Sequence, residues 1–308
     1  MSAGWVAATV RARALAGRRL GPDATGQLAG QPGLAAALDL LSRSSYADAV
    51  GGCVTSADAR RAVAGAALWN LRVLAGWLPP GGAELLRVVA AWFELANIED
   101  RWAELEGAAV SPPFELGALA GAWPRASRAS TPGQLRAALA ASPWGDPGTT
   151  EPGLAGVVLR LAWARRLAAT LPDSGSWAAG QAALMAALLV GSGATGGLGP
   201  APAATARRLL GSGWAEAPTV ADLAARVPRP AAWALAGVEG PEDLWQAQLR
   251  WWDRVEADGM RRRAGAVRPG SEPVVGIALA LVADAWRVGA ALDAAARRAD
   301  REQPDVAA

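Results

Sequence analysis

Apolar residues recur at intervals of three and four along most of the chain, and two-residue alternation is almost absent. This pattern predicts helices and argues against a sheet. Trp5, Ala8, Ala12 and Leu15 form one face of an opening helix, with Arg11, Arg18 and Arg19 off it. A short helix is predicted over residues 33–42. The stripe Leu68, Leu71, Leu74 and Leu78 marks a longer one over residues 56–78. Pro79-Pro80-Gly81-Gly82 must stop it, because proline cannot continue the backbone ladder. Another long helix is predicted over residues 83–106, with Gly107 as its stop.

Beyond Pro112-Pro113 the pattern is less regular. Thr131-Pro132-Gly133-Gln134 is a helix start, with a hydroxyl cap, proline in the first turn and Gln three residues after the cap. Residues 142–152 read as loop, and helices follow over 153–170 and 176–190. The Gly/Pro-rich stretch 191–202 is the best candidate for a subdomain boundary. Short helices follow near Ala203 and Val220, then long ones over 241–263 and 273–300, and the last few residues are expected to fray. The expected fold is a single all-α domain. Its long helices at 83–107, 174–190 and 273–300 recur at a spacing too coarse for a solenoid. They suggest three pseudo-repeated helical modules, with boundaries near residues 110 and 200.

Composition sharpens the functional question. The 308 residues contain no His, no Lys and one Cys, Cys53. Most side chains that serve as general base, Schiff-base amine, metal ligand or activated nucleophile are therefore missing. No metal or cofactor is implied, and the expectation is a binding rather than a catalytic protein. Arg in place of Lys, with few Ile, Asn, Phe and Tyr, fits a GC-rich coding sequence, but the absence of His does not follow from it. Net charge is +2 although the sequence pI is about 9.4. With so little titrating between the carboxylates and Arg, that pI is weak evidence for nucleic acid. One thiol cannot form an internal disulfide and fits a reducing cytoplasm. No apolar core follows a basic start, so no secretory segment is expected. No charge lies between Asp173 and Arg207, but the apolar run 182–190 follows Gly180-Gln181 and is ended by Gly191-Ser192-Gly193. It falls short of the roughly 20 residues a membrane span needs, which favours a buried core helix. The run 274–283 is shorter still and ends at Asp284.

Several motifs invite sharper readings. Gly191-Ser192-Gly193-Ala194-Thr195-Gly196 matches G-x-G-x-x-G, yet the preceding segment reads as helix and Pro200 and Pro202 follow, so a plain loop is the stronger reading. Glu94, Glu99, Asp100, Glu104 and Glu106 could supply acid/base chemistry, but their spacing fits a solvated face, with Arg101 and Glu104 as a surface pair. The scattered Arg pairs do not gather on one helix. They read as solubilising surface, a subset of which could face anionic lipid or acidic partner loops. Of the 15 Trp, residues 92, 102, 163, 177, 245 and 286 are placed mostly on apolar faces. Trp251-Trp252 cannot both point inward on one helix, since neighbours lie about 100° apart, so one of them is expected near a surface or partner contact.

A family resemblance lies in the rare residues. Leu38-Asp39-Leu40-Leu41-Ser42-Arg43-Ser44-Ser45-Tyr46 resembles the leucine-rich helix, small residues and Tyr near the start of the C-type (in eukaryotes d-type) central-stalk subunits of V-type/A-type ATPases. Trp5 to Arg13 resembles that family's aromatic-led first helix with R-x-R. Phe93-Glu94-Leu95-Ala96-Asn97-Ile98 resembles its acid-x-x-Asn-Leu element, which closes the first module. Leu279 to Leu292, with Asp284 at the acidic position, resembles the closing helix of the third. Gly191-Ser192-Gly193 falls where the second module ends. The match runs in order through most of the chain. It departs at Gln181 and Leu184, where acid and Asn would stand, and the third module also lacks the Asn.

The resemblance implies a funnel of three helical modules with one face on the membrane rotor ring and a cavity that receives the central shaft. Such a protein transmits torque, needs no cofactor, small-molecule substrate or nucleic acid, and sits on the cytoplasmic side as a peripheral membrane component. A stiff core and complementary surfaces suit that work. Glu94 and Asn97 are expected to tie helices together inside a module. Arg11 and Arg13 are expected to line the funnel or face a partner, unless they form a solvated helix face. A helical adaptor that kept the fold but not the rotary assembly, and an enzyme working through carboxylates alone, are the alternative classes.

Overall fold

Helix is the only regular element among the residues that the computed structural model describes, 3–171, 173–265 and 268–302, and no strand occurs among them. The all-α expectation holds. In chain order the helices are α1 (Ala3–Leu15), α2 (Pro22–Ala29), α3 (Leu34–Leu41), α4 (Ala47–Val50), α5 (Ser56–Ala75), α6 (Gly82–Leu105), α7 (Trp123–Ala126), α8 (Pro132–Ala140), α9 (Pro152–Thr170), α10 (Gly175–Gly191), α11 (Pro200–Leu210), α12 (Val220–Arg226), α13 (Arg229–Ala232), α14 (Leu244–Gly265) and α15 (Ser271–Glu302). Short 3-10 turns connect several of them. The long helices fall where the periodicity put them, and the short α2, α4, α7 and α13 are additions. The last residues, expected to fray, lie outside the described set, as does the side chain of Arg263.

Starts and stops follow local chemistry. Thr55, Thr131 and Thr219 each accept a hydrogen bond from the backbone N–H three residues on, at Asp58, Gln134 and Asp222. Such a cap satisfies one of the donors that a helix N-terminus leaves open. Gln134 reaches back to Ser130 N–H at 2.9 Å, one residue before the cap. The Thr-Pro-Gly-Gln start is therefore real, with its return bond displaced by one.

Two compact units emerge, Met1–Leu86 with Trp252–Ala308, and Arg87–Trp251. The first is discontinuous in sequence, and the divisions fall inside α6 and α14 rather than in the Gly/Pro-rich stretch 191–202. In the first unit α15 is the central helix, covered by α1, α2, α3 and α5. Val274, Ile277, Leu281, Val288 and Leu292 on α15 are all essentially inaccessible, each contributing roughly 1.5–3 kcal/mol of burial free energy. Where α14 meets α15 the backbones approach closely. A Cβ on Gly259 would lie 2.7 Å from the Gly276 carbonyl oxygen, so both positions need glycine.

In the second unit α10 has the central place, packed by α9, α11 and α13. Every residue from Trp177 to Ala187 is buried, which explains the lack of a one-sided stripe there. Helix Ser271–Ala299 is the one segment among the described residues long and apolar enough to cross a membrane, and 83% of its most apolar window is buried inside the fold. It is longer than the apolar run 274–283 suggested, because Asp284 does not end it.

The Trp assignments divide. Trp102, Trp163 and Trp177 are buried, but Trp245 is exposed at 41%. Trp251 and Trp252 are both buried, against the expectation for adjacent positions. Trp251 donates to the Trp177 carbonyl at 2.9 Å, and Trp252 stacks on Trp286 at 5.9 Å between centroids. The expectation failed because α14 is covered on more than one face.

Candidate functional site

The buried polar groups concentrate at two carboxylates. Glu94, on α6, is 1% exposed. Its Oε1 accepts from Gly121 N–H at 2.6 Å and Trp123 N–H at 2.8 Å, and its Oε2 from the Trp144 indole N–H at 2.8 Å. Burying a carboxylate is unfavourable unless its oxygens are fully served, and three N–H donors serve them here. The Arg166 guanidinium sits 5.2 Å over the Trp144 ring. One turn further along α6, the Asn97 amide donates to the Phe114 carbonyl at 2.9 Å and accepts from Phe114 N–H at 2.7 Å. Glu94 and Asn97 thus pin two separate points of the segment following α6 onto one face of that helix. The solvated-face reading of Glu94 is corrected, because protein donors rather than water serve its oxygens.

Asp284, on α15, has the same role in the first unit. It is inaccessible to solvent. Oδ2 accepts from Leu20 N–H at 2.9 Å and from the Tyr46 hydroxyl at 2.8 Å, while Oδ1 accepts from Gly21 N–H at 2.8 Å. Gly21 has φ of 80°, a left-handed conformation that glycine adopts without strain. Burial, then the adjacent Asp284 charge, raise the Tyr46 hydroxyl well above its ordinary pKa, so Tyr46 stays a donor. Three residues on, Arg287 pairs with Glu256 and, at 2.7 Å, with Asp253, while Arg19 also pairs with Glu256.

The two sites are alike in local detail. Leu41, Ser44 and Tyr46 correspond to Leu139, Ser142 and Trp144. Both leucines are inaccessible, and each serine hydroxyl donates to its leucine carbonyl at 2.7 Å. The aromatic residue's own N–H then donates to that hydroxyl, at 3.1 Å for Tyr46 and 3.2 Å for Trp144. In each case the aromatic donor reaches the carboxylate that also holds the preceding glycine's N–H.

On α10 the arrangement is not repeated: the Gly211 N–H donates to the Arg207 carbonyl at 2.9 Å, and the Trp233 indole to Ser176 and the Pro230 carbonyl. Gly211 resembles Gly21 in its backbone, with φ of 80°, and Trp233 follows it. The separations Gly21–Tyr46, Gly121–Trp144 and Gly211–Trp233 are 25, 23 and 22 residues. Trp233 packs where a Cβ on Gly180 would stand 2.7 Å from its ring, and its indole donates to Ser176 at 3.0 Å. The neighbouring Gln181 is buried, accepts from Gln248 at 3.2 Å, and leaves its own amide nitrogen without a hydrogen-bond partner among the described residues.

The remaining candidates are dispersed. Arg11 and Arg13 lie on α1, in a different unit from Glu94 and Asn97. Arg13 is exposed, and Arg11 is half-buried, its Nε lacking a hydrogen-bond partner among the described residues. Glu99 pairs with Arg160 of α9, which also lies 5.6 Å over Trp92, and Arg101 pairs with Glu104 as the spacing predicts. The G-x-G-x-x-G segment follows helix α10 rather than a strand. No group of three or more metal-ligating side chains occurs among the described residues. Sequence reasoning found Glu94, Asn97, Asp284 and Tyr46 but passed over Trp144. The repeated L-x-x-S-x-aromatic spacing at 41–46 and 139–144 was the available signal.

No protein-family model matches the chain, and no curated protein matches its sequence.

Proposed function

We propose that the chain is a non-catalytic central-stalk component of a V/A-type rotary ATPase, related to the C-type (eukaryotic d-type) family. In this reading it couples the central shaft to the membrane rotor ring from the cytoplasmic side, as a peripheral component built of three related modules. The observation that carries the reading is the recurrence of one bracing device. Glu94 and Asp284, picked out by the resemblance as the acids of two module-closing helices, each clamp a glycine N–H and an aromatic donor about two dozen residues apart. On the remaining closing helix, where the acid is missing, Trp233 packs against Gly180 and its indole donates to Ser176 instead.

The physical requirement is stiffness. A torque-bearing protein gains from loops fixed by buried, fully paired groups, since interiors transmit strain only where packing is close. Both carboxylates are occupied by protein donors, which suits bracing rather than proton transfer. Arg11 and Arg13 are the residues this reading assigns to a partner surface. The test is co-elution of the purified chain with the isolated rotor ring of its host in mild detergent, and separately with the central-shaft proteins. Binding to both supports the coupler. A folded chain that binds neither replaces it with the alternative, a helical adaptor that kept the fold but not the assembly.

A further inference from the structure

Large apolar side chains are exposed mainly in one part of the first unit. Trp69 is 57% and Trp77 51% exposed, and Val6 and Val10 on α1 are 42% and 63% exposed. At helical spacing Val6, Val10 and Arg13 share the side of α1 opposite the buried Ala8, Ala12 and Leu15. On α5, Trp69 faces away from the buried Leu68, Leu71 and Leu74, and the Arg72 guanidinium stands 5.3 Å from its ring centroid. Helices α1 and α5 pack together, and a Cβ on Gly4 would meet Pro79 at 3.3 Å. The start of α1 therefore lies beside the end of α5, with Val6 and Trp77 at the same end.

Charge on this pair of helices is one-sided. Helices α1 and α5 together carry five arginines and one carboxylate, Asp58. Asp58 is held by Thr55 and Arg60 by Asp293, and Arg13 and Arg72, which have contacts of their own, flank the exposed apolar residues. Exposed indoles are disfavoured on a free surface, but they suit the headgroup level of a bilayer, where ring and N–H meet different media. Arginine beside them is attracted by anionic headgroups. Shallow apolar anchors together with basic residues are the combination that binds membrane surfaces reversibly and with sensitivity to lipid composition.

From this we infer that the α1–α5 face, through Trp69, Trp77, Val6, Val10, Arg13 and Arg72, docks on an anionic lipid surface. The inference goes beyond the coupler reading and stands without it, since its test contains no other protein. The full chain is sedimented with vesicles of phosphatidylcholine alone and of phosphatidylcholine mixed with phosphatidylglycerol. The chain sediments with the anionic vesicles, far less with the neutral ones, and the binding weakens as salt screens the arginines. The double variant Trp69→Ser/Trp77→Ser still unfolds cooperatively, because more than half of each side chain is exposed, and loses about tenfold in vesicle affinity. Trp245→Ser, at an exposed tryptophan in the other unit, binds as wild type does. A chain that ignores anionic vesicles overturns the inference, and so does binding that survives loss of both tryptophans. In the first case the patch belongs to a protein partner.

Discussion

Glu94 and Asp284 do the same work in two units with different neighbours. Each accepts two backbone N–H groups near a turn and one aromatic donor. Glu94 gathers partners 27 to 50 residues away, whereas those of Asp284 lie 238 to 264 residues away. Three residues beyond the acid, the second unit has Asn97, which makes two neutral bonds to Phe114. The first unit has Arg287, held by Glu256 and Asp253. A buried carboxylate is therefore tolerated in two settings, one served by neutral dipoles alone and one beside an ionic network. The donor set around the oxygens is the common element. Gln181 shows the position without it.

The comparison breaks most visibly on removal of the acids. Glu94→Ala and Asp284→Ala each leave three buried donors unserved and should each cost about 3–5 kcal/mol in urea unfolding. A marked inequality would mean that the ionic network, not the donor set, stabilises the Asp284 site. Tyr46→Phe removes one bond to a buried carboxylate and should cost about 1.5–3 kcal/mol. It also has a pH signature. The folded pKa of Tyr46 is raised, so its contribution is complete below the ordinary value of 10.0 and is lost as pH rises from there towards the folded value. Wild-type stability should fall above about pH 10, and the Tyr46→Phe variant should lack that part of the fall. Asn97→Leu should loosen the second unit by about 1–3 kcal/mol, with unchanged thermal unfolding as the contrary result. The smallest effect is expected at the third position. Gln181→Leu exchanges one weak bond for relief of an unserved amide nitrogen and should stay within about 1 kcal/mol of wild type.

Much of the fold was legible because helix boundaries depend on local residues. Thr131 announces its cap, and Pro79-Pro80 announces a break; the equivalent caps at Thr55 and Thr219 went unread. The short helices α2, α4, α7 and α13 were not legible, since four to eight residues carry little periodicity and tertiary contacts hold them. Trp251-Trp252 misled because the period argument assumes one covered face. At the candidate site, Glu94 and Asn97 stood out through the rarity of Asn in this chain, and Tyr46 is its only tyrosine. Trp144 was one tryptophan among fifteen, so composition could not single it out. The pairing of Tyr46 with Asp284 spans 238 residues, a distance over which no local pattern reports contact.

The proposal makes this braced helical chain a mechanical coupler. Affinity capture of the tagged chain from mild-detergent membranes of its own host, with partners identified by mass spectrometry, tests that most directly. A coupler brings down rotor-ring and central-shaft proteins of one rotary ATPase together in the captured set. A folded chain recovered without either would contradict it.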